Sequence, residues 1–244
     1  MSNSIIIIPS RLAATRLPQK PLIKINNKTL IMHVYEKAIQ SQIGEVYVAT
    51  CDEEIASEVK KNGGNFIMTD INHTTGTDRV FEASQKLDLK DIDFIMNVQG
   101  DEPMINPLDI RKLNKLSKEN NFNISTLAYN IEKKEDYDNE NIVKVITKNK
   151  ISDNSATEAL NFYRVIKEKS SSNIYQHFGI YLYKYSALKK FVNFKKSKNE
   201  IKGKLEQLRA IDNNMKINVI LANYFSSGID TKKDLEDYIK SFKK

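Results

Sequence analysis

Cysteine is almost missing from this chain: Cys51 is the one thiol in 244 residues. That excludes an intramolecular disulfide framework and a cysteine-based zinc centre. No apolar run approaches the roughly 20 residues that span a bilayer. The opening MSNSIIIIPS lacks the basic start and long apolar stretch of a secretory signal, so a cytoplasmic protein without a membrane partner is expected. There is no internal repeat, no low-complexity linker and no compositional break, which predicts a single domain over residues 1–244. Two phosphate-binding devices are also missing. Without G-x-x-x-x-G-K-[ST] the chain is not a P-loop enzyme, and without G-x-G-x-x-G after the first strand a dinucleotide redox cofactor is not expected.

The net charge of +7 would suit a nucleic-acid partner. The lysines, however, are spread along helix faces, and no aromatic-and-basic surface motif accompanies them. A few local cations suffice for a small anionic substrate. Hydrophobic residues at 40% and charged residues at 28% describe an ordinary globular protein able to bury a core.

The first half alternates between strand and helix patterns. Ile5–Ile8 reads as a buried strand, Thr29–Gln40 as a helix capped by Thr29, and Glu45–Thr50 as a strand. Asp52 caps a helix that runs through Lys61 and ends at Gly63–Gly64. Asn65–Thr69 and Asp93–Gln99 are strands, Asp78–Leu87 and Pro107–Glu119 helices, and Ile124–Ala128 a further strand. Such alternation predicts an α/β fold with a mostly parallel sheet flanked by helices. In the second half Ile142–Thr147 and Lys216–Ala222 read as strands, Gly179–Tyr183 as a half-exposed antiparallel strand, and 148–158 as a polar excursion. Glu200–Asp212 and Thr231–Phe242 read as helices. An antiparallel addition is therefore expected, in a subregion at about 130–215.

Ligands of open parallel sheets sit beyond the carboxyl ends of the strands, and three segments there carry chemistry. PSRLAATRLPQKPL places Arg11, Arg16 and Lys20 on a loop stiffened by Pro9, Pro18 and Pro21. It is either a solvated basic loop or a cradle for several phosphates. NVQGDEP places Asp101 after Gly100, whose missing side chain permits a tight turn and close approach. Asp101 is either an Asx-turn residue or a carboxylate that holds Mg²⁺ against phosphates. SSGIDT places Asp230 beside Thr231, as part of a helix cap or as a second metal carboxylate. Cys51, at a strand end, reads as packing rather than as a nucleophile.

As a set these segments resemble one family. IIIIPSRLAATRLPQKPL, TTGTDR (Thr74–Arg79), NVQGDEP, IVKV (Ile142–Val145), ALNFYR (Ala159–Arg164), QHFGIY (Gln176–Tyr181), LEQLR (Leu205–Arg209) and GIDT (Gly228–Thr231) occur in the order and spacing of the 3-deoxy-manno-octulosonate (Kdo) cytidylyltransferases. The resemblance covers nearly the whole chain. It implies a fold of the nucleotide-diphospho-sugar transferase type, a homodimer whose contacts and sugar site involve the 130–215 subregion, and Mg²⁺-dependent transfer of CMP from CTP to Kdo for lipopolysaccharide synthesis.

The resemblance also assigns residues. Arg11, Arg16 and Lys20 would hold the triphosphate, and Asp101 and Asp230 the Mg²⁺. Thr77, Asp78, Arg79 and Gln99 would lie around nucleotide and sugar. Arg164, His177, Tyr181, Glu206 and Gln207 would line the sugar-acid side. Read as a helix, LEQLR is either pure core through Leu205 and Leu208 or turns Glu206, Gln207 and Arg209 away from the core to bind. The residues depart from the family pattern on that side. Asn161-Phe162-Tyr163-Arg164 replaces Y-F-S-R, Val165-Ile166-Lys167 replaces an Ile-Pro continuation, the stretch at 150–158 is longer, and LYKY replaces a more glycine-rich run around Tyr181–Tyr185. Rival substrates are therefore related acidic sugars such as 8-amino-Kdo or a nonulosonate. A non-catalytic nucleotide-binding protein is the rival of another class. His33 and His73 have no motif around them.

Overall fold

The computed structural model describes residues 3–13, 17–87, 92–166 and 173–242. Its contacts fall into two compact units, Met1–Arg111 with Ser226–Lys244, and Lys112–Phe225.

The first unit is built around β1 (Asn3–Ser10), whose isoleucines Ile5 to Ile8 are all buried. Each such side chain removed from water contributes about 1.5–3 kcal/mol, and an unbroken apolar run is what a strand covered on both faces requires. A small hairpin follows, β2 (Lys24–Ile25) and β3 (Lys28–Thr29), then α1 (Leu30–Gln40), which buries Leu30, Ile31, Val34 and Ala38. Next come β4 (Val46–Thr50), α2 (Glu53–Lys61), β5 (Asn65–Met68), α3 (Gly76–Lys86) and β6 (Ile92–Asn97). The strands lie in the order β5-β4-β1-β6, every neighbour parallel. The predicted strands and helices of this half are present to within a few residues.

Two expected caps are differently employed. Thr29 and Asp52 occupy the N-cap positions of α1 and α2, yet neither side chain caps its helix. The Thr29 hydroxyl donates to Glu58 Oε1 at 3.1 Å, and Asp52 Oδ2 accepts from the Leu12 amide at 2.8 Å. Asp52 therefore anchors the basic loop that follows β1. Helix α3 begins at Gly76 rather than Asp78, because Thr75 accepts the Asp78 amide at 3.1 Å and supplies the cap.

The chain leaves the first unit within α4 (Pro107–Glu119). The second unit contains β7 (Ile124–Asn130), β8 (Lys144–Thr147), β9 (Ala156–Tyr163), β10 (Ile174–Lys184), α5 (Tyr185–Val192), α6 (Lys198–Gly203), α7 (Leu208–Asp212) and β11 (Asn218–Leu221). Its strands pair in a closed circuit, β10-β7-β11-β9-β8 and back to β10. Every pairing is antiparallel except β7 with β11. The chain then returns to the first unit, where α8 (Lys232–Ser241) closes it.

Three expectations for the second half are corrected. The ALNFYR block lies on a strand, β9, which starts at Ala156 inside the stretch read as a polar excursion. Strand β10 is buried along almost its whole length rather than half-exposed, which requires cover on both of its faces. Glu200–Asp212 is not one helix: Lys204 takes a left-handed φ of 50° and separates α6 from α7.

Candidate active site

Strand β1 ends at Ser10 and delivers the basic loop; its neighbour β6 ends at Asn97 and delivers Val98 to Asp101. Gly100 lets the two approach. A Cβ at that position would lie 2.9 Å from Pro9 O and 3.3 Å from Ile31 Cδ1, closer than a side chain tolerates, so here glycine serves proximity. The third segment is fixed to the second by its backbone, the Ile229 amide donating to Asp101 O at 2.8 Å. Leu17, Ile25, Leu30, Ile229 and Tyr238 form one buried cluster beneath. Basic loop, acidic turn and the approach to α8 are thus held by common packing.

Above this cluster lies a cleft of about 350 Å³, lined by Arg11, Lys20, Arg79, Gln99, Asp101 and Asp230 among others. That is within the ~300–1,000 Å³ range of small-molecule sites. Lys20 Nζ is 2.6 Å from Asp101 Oδ2 and 3.0 Å from Asp230 Oδ1. Burial by itself lowers the Lys20 pKa, but Asp101 and then Asp230 outweigh it and raise the ammonium above its ordinary value. The 3-10 turn Lys20–Leu22 starts from Gln19, which adopts a left-handed φ of 52°.

Neither carboxylate supplies the cap of the last helix. Asp101 Oδ2 takes the lysine, and α8 is capped by Thr231 and Asp234. Thr231 Oγ1 accepts the Asp234 amide at 3.2 Å, while Asp234 Oδ2 accepts the amides of Asp230 and Thr231 at 3.0 and 2.8 Å. The chemistry of this donor set fits Mg²⁺. Two hard oxygen ligands converge on one cation, and Mg²⁺ ordinarily takes one or two protein carboxylates and completes its shell with phosphate oxygens and water. Among the described residues no group of three or more acidic, His or Cys side chains forms a self-sufficient metal cage.

The remaining nucleotide-side residues divide. The Gln99 amide donates to Asn97 Oδ1 at 3.2 Å, leaving its Oε1 near Gly76, where a Cβ would lie 3.7 Å from it. Arg79 is buried and hydrogen-bonded to the Thr69 hydroxyl, with part of its surface on the cleft. Thr77 is buried with its hydroxyl 3.5 Å from Asn97 Nδ2, and it is not a lining residue. Asp78 is drawn into the cap, its Oδ2 accepting from the Thr75 hydroxyl at 2.7 Å. Arg16 lies outside the described residues.

His73 was not anticipated at the site. It lines the cleft, and its Nε2 is hydrogen-bonded to Glu82 Oε2. Burial alone raises the Glu82 carboxyl, but the Lys86 ammonium, the Asp70 amide and His73 together bring it down to about 2. Only the proximity of His73 to TTGTDR in the chain hinted at this, because its partner is on the next helix.

Apart from Gln99, the sugar-side candidates belong to the second unit. Around QHFGIY the β10–β7 register slips between His177 and Tyr181. Two carbonyls within this bulge are recovered by one hydroxyl: Thr126 Oγ1 lies 2.6 Å from Ile180 O and 3.3 Å from Phe178 O. Since that hydroxyl has a single proton to give, His177 Nε2 at 3.0 Å donates to it. The bulge brings the His177 and Tyr181 rings to 5.4 Å, with Phe162 edge-on to His177 at 5.1 Å. Burial pushes His177 down to about 3, so the imidazole is neutral. Burial, then Tyr183 and Glu206, push Tyr181 far above the ordinary phenol value. The Tyr181 hydroxyl is buried and has no hydrogen-bond partner among the described residues.

Arg164 spends donors on main chain, reaching Glu140 O at 3.0 Å and Lys204 O at 3.3 Å. Lys144, 0% exposed, holds the same region with hydrogen bonds to Asn139 O at 2.8 Å, Ile142 O at 2.7 Å and Arg164 O. Gln207 stands at the start of α7, and Glu206 just before it. Arg209 does not face outward as expected. It is 2% exposed and makes a forked pair with Glu200, Nε to Oε2 at 2.9 Å and Nη2 to Oε1 at 2.6 Å.

A cytidylyltransferase family model matches residues 5–217. The 3-deoxy-manno-octulosonate cytidylyltransferase of Thermodesulfovibrio yellowstonii is 45% identical, over 96% of this chain and 95% of the relative. The chain belongs to the 3-deoxy-manno-octulosonate cytidylyltransferase family. The family member from Bartonella tribocorum is 42% identical over 95% of both chains. Among solved structures, a CMP:2-keto-3-deoxy-manno-octonic acid synthetase complexed with CTP superposes with a TM-score of 0.89 at 33% identity, covering 99% of each chain. UTP-bound UGPase from Acinetobacter baumannii shares the fold, with a TM-score of 0.71 at 9% identity. As a member of the 3-deoxy-manno-octulosonate cytidylyltransferases the chain is a nucleotidyltransferase, and the expected α/β fold of that type is the one observed.

Proposed function

We propose that this enzyme transfers CMP from CTP to the anomeric hydroxyl of Kdo, releasing pyrophosphate, with Mg²⁺ held by Asp101 and Asp230. The observation that carries the reading is the convergence of Lys20, Asp101 and Asp230 in a cleft also lined by Arg11, in a chain 45% identical to a 3-deoxy-manno-octulosonate cytidylyltransferase. The sugar hydroxyl attacks the α-phosphorus in line. One P–O bond forms, the bond to the β-phosphate oxygen breaks, and the hydroxyl proton passes to solvent. Two anions must meet, so the protein's contribution is positioning and charge neutralisation rather than covalent chemistry.

Arg11, Arg16 and Lys20 hold the triphosphate and stabilise charge on the departing pyrophosphate. Gln99 and Arg79 complete the nucleotide side, with Gln99 reaching the sugar as well, and the buried Thr77 supports them from behind through Asn97. Mg²⁺, when bound, neutralises phosphate charge and acidifies the attacking hydroxyl. His177, Tyr181, Glu206, Gln207 and Arg164 receive the sugar acid; the orphaned Tyr181 hydroxyl is the group such a ligand would complete. The product would serve lipopolysaccharide assembly in the cytoplasm, and the enzyme would act as a homodimer, which light scattering checks.

The test is pyrophosphate release with Mg²⁺, pairing CTP, UTP, ATP and GTP with Kdo, 8-amino-Kdo and N-acetylneuraminate. CTP with Kdo should be the productive pair; silence of CTP with every acidic sugar would refute the reading, and preference for another acid would reassign the substrate. Asp230→Asn should remain folded, since Thr231 and Asp234 keep the cap, while losing metal-dependent turnover. Full activity in that variant would remove Asp230 from the site.

A further inference from the structure

We propose that Lys20 is the resident cation of the Asp101–Asp230 pair, and that its transfer to the nucleotide's phosphates opens the pair to a divalent ion. The proposal rests on the reading that these carboxylates hold Mg²⁺ and that Lys20 holds phosphate. Its basis is geometric. Lys20 Nζ sits where the two carboxylates converge, 2.6 and 3.0 Å from one oxygen of each. An ion coordinated by both oxygens at about 2.0–2.1 Å needs that same point, and two cations cannot share it. The ammonium must leave first.

The lysine has a destination. It lines the same cleft as Arg11, and its long stem can move the charge to a phosphate without moving the backbone of the turn. Arg11 differs in the respect that matters, because no ion pair joins it to either carboxylate among the described residues. Arrival of a polyphosphate therefore does two things at once. It offers Lys20 a new anion, and it withdraws the ammonium from between the two carboxylates. Nucleotide and metal then strengthen each other's binding by the same factor, as linkage requires. The empty enzyme is protected from capturing a divalent ion in the absence of substrate.

The test is a titration of nucleotide-free protein with Mn²⁺, free ion being followed by electron paramagnetic resonance. Wild type should bind weakly, and Lys20→Met should bind at least ~10-fold more tightly, about 1.4 kcal/mol. Arg11→Met should stay within about 2-fold of wild type, because a solvent-screened cation off the carboxylates contributes little. Adding Asp230→Asn to Lys20→Met should abolish the gain and so place it at the pair. Thermal melting gives a second measurement if Lys20→Met is destabilised, since Mn²⁺ should raise its Tm more than that of wild type. Equal binding by wild type and Lys20→Met, or an equal gain in Arg11→Met, would overturn the inference while leaving the metal reading intact. Undiminished CTP turnover by wild type in excess EDTA would overturn both.

Discussion

Arg209→Met should be among the most damaging substitutions in the second unit. The guanidinium is almost wholly buried and forked onto Glu200 with bonds of 2.6 and 2.9 Å, and it lies 4.8 Å from the centroid of the Phe191 ring. Removing one partner of a buried pair costs about 3–5 kcal/mol, because the other charge is left desolvated. Loss of the cation–π contact adds about 0.5–2 kcal/mol. Glu200 has a second duty: its Oε2 accepts the Ser197 amide at 3.2 Å in the capping box of α6.

Glutamine can keep that box while discarding the charge. Arg209→Met should therefore lose about 4 kcal/mol, whereas Arg209→Met with Glu200→Gln should lose about 2 kcal/mol less, a coupling within the usual range for residues in contact. Urea denaturation of the four proteins measures this, provided the slope of each transition is unchanged. Because α7 follows Glu206 and Gln207, the single variant should also raise KM for the sugar acid more than for CTP. A loss under about 1 kcal/mol in the single variant, or strict additivity in the double, would refute the argument.

Gly100→Ala should cost about 1–3 kcal/mol by overpacking, since its Cβ would meet Pro9 O at 2.9 Å. It should lower kcat by parting the basic loop from Asp101, and wild-type kinetics would show that the close approach is dispensable. His177 is buried with a pKa near 3, against about 6.5 unfolded. The unfolded chain binds more protons between those values, so stability falls as pH drops through 6.5 toward 3. By pH 5 the loss is about 2 kcal/mol, and His177→Gln, measured by denaturation at both pH values, should not show it. Gln19→Gly should stabilise the protein by about 1 kcal/mol by relieving the left-handed φ of 52°; a lower melting temperature would mean that the Gln19 side chain has a role of its own.

The parallel half of the fold was legible because its signals are local. Ile5–Ile8 can only be a buried strand, and Gly63, at a φ of 73°, ends α2 as glycine does. The second half was less legible because its determinants are distant in sequence. The apolar spacing from Glu200 to Asp212 suits a continuous helix, but the Arg209 guanidinium pairs with the Glu200 carboxylate and a left-handed Lys204 breaks the path between them. Strand β10 reads as half-exposed because its alternating residues do not reveal that both faces are covered. At the site Lys20, Asp101 and Asp230 were each ambiguous alone, and their meeting, one ammonium reaching both carboxylates, is a contact across distant segments that no local pattern shows. His73 carried little signal because the carboxylate that holds it, Glu82, lies nine residues away on the following helix.

The first unit is discontinuous, residues 1–111 being completed only by 226–244. Synthesis therefore delivers Lys20 and Asp101 early and Asp230 only after the whole intervening unit. A nascent chain can form half of the ion-pair cluster, but it lacks the second carboxylate until Asp230 has been made. A chain stopped near residue 225 would retain the basic loop and the acidic turn without Asp230, the second carboxylate that Lys20 reaches.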